Sequence, residues 1–115
     1  MKYSGWGYID HMLLACEELE TCLSGIKTFE DFDSSIVAKR AVVMCLLDLG
    51  ELITGLGEAE ISLYPSESWS RLVGFRNRAA HGYFTMDYEI VYALAINRVP
   101  PLYEFLKIQK AKMQD

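Results

Sequence analysis

SSIVAKRAVVMCLLDLGELITG, residues Ser34–Gly55, is the stretch that decides the fold. Its apolar residues Ile36, Val37, Val43, Met44, Leu46, Leu47 and Ile53 lie around most of a helical circumference, and no period-two alternation competes with that reading. A helix that is apolar on nearly all sides must be surrounded, so it is expected to be the central, most buried element of a bundle. Asp33 or Ser34 is the candidate N-cap, because a short side-chain oxygen can accept a backbone N–H left open by the first turn. Gly55-Leu56-Gly57 supplies the stop.

Outward from this segment the periodicity stays helical. Ile9, Met12, Leu13, Cys16, Leu19 and Leu23 recur at three- and four-residue steps and predict a first helix over about residues 5–26, with Gly25 as its end. Thr28 to Asp33 reads as a connector pinned to the core by Phe29 and Phe32. Residues 58–65 read as a loop closed by Pro65, after which Ser66 caps a helix over about 67–80 that Gly82 breaks. Thr85 or Asp87 starts a fourth helix through Ile90, Val91, Leu94 and Ala95. Pro100-Pro101 is expected to interrupt or kink it, since a ring at an interior position removes a backbone bond and clashes with the turn before. A last amphipathic segment runs from Leu102 to about Lys112, with Phe105, Leu106 and Met113 on its apolar side. The sum is an all-α, antiparallel four- to five-helix bundle, one domain over residues 1–115.

The composition is that of an ordinary folded protein, 51% hydrophobic and 23% charged. The longest apolar run, Ala41 to Leu47, is far too short to span a bilayer. Met1-Lys2-Tyr3-Ser4-Gly5-Trp6 lacks an apolar signal core, so the cytoplasm is the expected compartment and no membrane partner is expected. Cys16, Cys22 and Cys45 are odd in number and form no Cys-x-x-Cys pair, which argues against a disulfide framework or a metal knuckle. The net charge of −5 argues against a generic nucleic-acid coat. Charge is nonetheless segregated: Arg71, Arg76 and Arg78 form a basic island, while Glu17-Glu18, Glu20, Glu30-Asp31 and Asp33 lie elsewhere.

The chemistry-bearing stretch is Arg76-Asn77-Arg78-Ala79-Ala80-His81-Gly82-Tyr83. On the third helix the apolar stripe runs Trp69, Leu72, Val73, then Arg76, then Ala80, so a guanidinium stands where the pattern asks for a hydrophobe. Such a group needs a partner or a cleft open to an anion. Two readings stand: an ion pair with Asp48 or Glu51 of the second helix, or a phosphate-binding arginine. His81 sits near the helix C-terminus, where the dipole favours its charged form while Arg76 disfavours it. It is either structural or a proton-transfer group. Asn77 can orient a phosphate oxygen or the imidazole. Tyr83 either packs at the turn or presents its ring or hydroxyl to a ligand. Tyr88 and Tyr92 read as core or interface aromatics, like Phe84. No carboxylate–His cluster has metal-ligand spacing, so neither a metal nor a cofactor is expected. Metal-free cleavage suits RNA, whose 2′-hydroxyl is a built-in nucleophile. It needs one base and one acid, and two copies of a one-histidine motif would supply both. His11 is the in-chain alternative and reads as structural or peripheral.

Arg76-Asn77-x-x-x-His81-x-Tyr83 resembles the Arg-x4-His-x-Tyr signature of HEPN-domain toxins of the HepT type, which are encoded with a minimal nucleotidyltransferase antitoxin of the MntA type. Trp69 to Phe75 is similar to the family's lead-in, and Phe84 to Tyr92 to its follow-on segment. Leu49-Gly50-Glu51 resembles its Ile-Gly-Glu element, and His11 stands where its first helix often carries a histidine. Leu52 and Ala79 depart from the common residue sizes. The resemblance implies a HEPN-type bundle that forms a homodimeric, metal-independent ribonuclease with its cleft between two copies. It implies Arg76 and His81 as the catalytic pair, with Asn77 and Glu51 supporting them and Arg71 and Arg78 on the RNA. It further implies Tyr83 as the tyrosine that the partner AMPylates with ATP to silence the toxin. A non-catalytic helical partner of the transferase is the rival reading.

Overall fold

The computed structural model describes residues 5–82 and 85–113, and among them every regular element is helical. After a 3-10 turn at Gly5–Tyr8 come α1 (Ile9–Cys22), α2 (Phe29–Asp33), α3 (Ile36–Ile53), α4 (Glu58–Ile61), α5 (Ser66–His81), α6 (Tyr88–Ala93) and α7 (Val99–Met113). A π-helical turn, Leu94–Arg98, joins α6 to α7 without a break. The expected all-α bundle is the observed architecture.

The central place of α3 follows from its contacts, since it packs against α1 on one side and α5 on another. Val42, Val43, Leu46, Leu49 and Ile53 are buried there. Full enclosure is not observed: Ile36, Val37 and Met44 are 70%, 80% and 58% exposed. These residues face the side of α3 that neither neighbour covers. Pairings fix the directions of the helices. Tyr103 and Lys110 of α7 bond Glu17 and Asp10 of α1 respectively, so the two run antiparallel.

Several ends differ from the sequence expectation. Ser35, not Asp33 or Ser34, caps α3, accepting the Ala38 N–H at 3.0 Å. The connector at 28–33 is itself a short helix, closed by a reciprocal cap in which the Asp31 N–H donates to Thr28 Oγ1 and the Thr28 N–H to Asp31 Oδ2. Its Phe32 is fully buried against Tyr88 and Tyr92. The segment at 58–65 contains α4, at whose start the Gly57 N–H donates to Glu60 Oε1 at 2.8 Å. Ser66 opens α5 instead of capping it. Asp87 is the cap of α6.

The expected interruption before Pro100-Pro101 takes the form of the π turn, where the Val99 N–H reaches back five residues to the Leu94 carbonyl. The wider turn lies directly before the two rings. The Ile96 carbonyl would meet Pro100 in an α-helix and Pro101 in a π-helix, and neither has an N–H to give. Among the described residues no helix is long and apolar enough to cross a membrane.

Candidate functional site between α3 and α5

The site begins with a glycine. A Cβ on buried Gly50 would lie 2.8 Å from Arg76 Cβ and 2.9 Å from the Leu72 carbonyl oxygen. With no side chain there, α5 lies directly on α3, and Arg76 comes to rest beside Glu51, one residue along. The Arg76 Nε–H donates to Glu51 Oε2 at 2.7 Å and Nη1 donates to Asn77 Oδ1 at 3.0 Å. Of the two acids open on sequence grounds, Glu51 is therefore the partner. Among the described residues this occupies two of the five guanidinium donors.

Arg76 is not buried. Its side chain is 40% exposed and that of Glu51 55%. An ion pair this open contributes at most about 1 kcal/mol to stability, so the pairing does more to aim the guanidinium than to hold the fold. The buried face of α5 is Trp69, Leu72 and Phe75, with Arg76 at its edge; Ala80, expected in the same stripe, is exposed.

Beside this pair runs a groove of about 450 Å³. Leu47, Asp48 and Glu51 of α3 form one wall, and Arg76, Asn77, Ala80 and His81 of α5 the other. His81 is the last residue of α5 and exposed. The guanidinium, imidazole and amide singled out by sequence thus share one open groove with Glu51. Asp48 lines it too, and burial, reinforced by the charge of Glu18, pushes its carboxyl above the usual range.

Other residues singled out by sequence lie elsewhere. Arg71 is bound to Glu67 at 2.7 Å, an acid that also pairs with Arg98, and it does not line the groove. Hydrogen bonding from Arg71, then the two cationic charges, holds the Glu67 carboxyl below its ordinary value. Arg78 lines a neighbouring groove on the other flank of α5. His11 is exposed with its ring 5.6 Å from that of Tyr8, away from both grooves. Tyr83 and Phe84 lie outside the described residues. Among those described, no group of three or more His, Cys, Asp and Glu side chains is placed to hold a metal ion. Sequence reasoning overlooked the mechanical role of Gly50, although a glycine inside a strongly apolar helix is itself a signal of close backbone approach.

Comparison with known proteins places the chain in a family. Residues 12–108 match the family described as Ribonuclease HepT-like. The chain is 32% identical over 107 residues to "Putative RNase TTE0752" of Caldanaerobacter subterraneus subsp. tengcongensis, covering 91% of this chain and 95% of that one. It is 27% identical over 111 residues to "Probable ribonuclease HepT" of Thermococcus cleftensis, covering 96% and 100%. No solved structure matches. With the family matched over most of its length, and Arg76, Asn77 and His81 gathered in one groove, the chain belongs to the ribonuclease HepT-like family.

Proposed function

We propose that the chain is a single-domain, metal-independent endoribonuclease, active as a homodimer whose two α3–α5 grooves combine into one cleft. The observation that carries this is the shared groove of Arg76 and His81, with the guanidinium aimed by Glu51 and Asn77. In the reaction a 2′-hydroxyl attacks phosphorus and the 5′-oxygen leaves. One His81 takes the 2′-proton, the His81 of the second copy gives a proton to the departing oxygen, and the product ends are a 2′,3′-cyclic phosphate and a 5′-hydroxyl. Arg76 neutralises the charge that builds on the equatorial oxygens. Arg78, and Arg71 at the periphery, contact the backbone of the RNA.

In the cell this activity is that of a toxin in a type VII toxin–antitoxin pair. A cognate MntA-like nucleotidyltransferase silences it by AMPylating Tyr83, which follows His81 by two residues. The reading is supported by family membership and by the Arg76-x4-His81-x-Tyr83 spacing.

The test is direct. His81→Ala and Arg76→Ala should each abolish RNA cleavage and growth arrest while circular dichroism and dimer mass stay unchanged. Full toxicity of either variant would remove that residue from the mechanism. Incubation with the partner enzyme and ATP should add AMP mass to the wild type and none to Tyr83→Phe.

A further inference from the structure

On the other flank of the last turns of α5 lies a second groove of about 570 Å³. Asn77 and His81 line both grooves, so they form the ridge between them. The floor of the second groove is apolar, built from Phe75, Met86 and Ile90, and its polar lining includes Asp87, Arg78 and Thr85. Asp87 caps α6 with one oxygen only: Oδ1 accepts the Glu89 N–H at 2.9 Å and the Ile90 N–H at 3.4 Å. Its other oxygen, Oδ2, has no hydrogen-bond partner among the described residues.

An apolar slot with a charged acceptor at its edge, opening across a ridge from the groove that holds Arg76 and His81, matches the anatomy of a nucleotide. Bases pack on apolar and aromatic surface and are told apart by the donors and acceptors on their edges. We infer that this second groove holds the nucleobase adjoining the phosphodiester bound at Arg76 and His81, and that Asp87 Oδ2 selects a base with an exocyclic amino group over uracil. A carboxylate only accepts. Guanine, adenine and cytosine each offer it an N–H2, whereas uracil offers two carbonyl oxygens flanking a single N–H. The inference rests on the ribonuclease reading for the position of the phosphate.

The probes are 2′-deoxy dinucleotides, which lack the internal nucleophile and stay intact: deoxyuridine joined to deoxyguanosine, deoxyadenosine, deoxycytidine or a second deoxyuridine. Wild-type protein titrated by NMR should bind the three amino-bearing probes roughly tenfold more tightly than the all-uracil one. Asp87→Asn keeps the helix cap, since Asn serves there as well as Asp. Its amide can donate as well as accept, so the preference should fall to about threefold or less. Equal binding of all four probes by the wild type, no binding of any, or a preference that survives Asp87→Asn would each overturn the inference. Failure of the ribonuclease reading looks different: no RNA is cut, yet the dinucleotide preference and its loss in Asp87→Asn remain.

Discussion

Arg76 shows what one residue in the wrong place can reveal. A guanidinium in an apolar stripe is legible from sequence as a group seeking an anion, but its partner was not, because Asp48 and Glu51 lie within one turn of each other. Packing decides the matter: the contact at Gly50 sets Arg76 level with Glu51, and Asp48 lines the groove without bonding it. If Glu51 aims Arg76, Glu51→Gln should weaken the charge-assisted hydrogen bond and let the guanidinium wander. Cleavage should then drop roughly tenfold, about 1.4 kcal/mol on the barrier. The folded state should lose less than about 1 kcal/mol, since both side chains are largely in water. Cleavage rates and thermal melts on the same preparation separate the two effects, and an unchanged rate would remove the aiming role. His81 was legible as a residue type at a helix end. Its meeting with Arg76 and Asn77 in one groove needed the fold.

At the scale of elements, the four long helices were readable because each carries several turns of periodic apolar residues. The short helices α2 and α4, of five and four residues, hold too little sequence for a 3.6-residue period to register. The Thr28-x-x-Asp31 spacing of a reciprocal cap was the one available signal for α2. Helix contact also explains one of the two interior glycines and leaves the other as a control. Gly50→Ala forces α3 and α5 apart, because the new methyl meets backbone and Cβ atoms inside van der Waals distance. Overpacking of about 1–3 kcal/mol outweighs the roughly 1 kcal/mol gained in helix propensity, so the midpoint of urea unfolding should fall. Gly74→Ala is the control within α5. Its Cβ would meet Arg78 Nη1 at an ordinary 3.5 Å, so only the propensity gain remains and the midpoint should hold or rise. A fall of equal size in both variants would show that the close crossing at Gly50 is not special.

For the molecule as a whole, the expectation that α3 would be enclosed failed for a geometric reason. Two helices pack along it, and their span leaves Ile36, Val37 and Met44 on an open side. The core itself sets a limit on alkaline stability. Burial above all, with the charge of Glu17, pushes the Cys16 thiol from 9.0 up to about 12. Burial, with the neighbouring Cys22 and Glu18, does the same to Cys45. Below pH 9 both thiols stay protonated whether the chain is folded or not, and they leave stability unchanged. Between pH 9 and about 12 the unfolded chain sheds these protons and the folded one does not, so stability declines across that window. Urea titrations at pH 8 and pH 10.5 should show the fall, and Cys16→Ser or Cys45→Ala should make it shallower. The turn at Leu94–Arg98 should leave its own mark on related sequences. It houses one residue more than a plain α-helix would need, so a single deletion there would restore ordinary winding upstream of the rings. Alignments of relatives that lack the Pro100-Pro101 pair should accordingly open a one-position gap inside this turn, leaving the flanking helices uninterrupted.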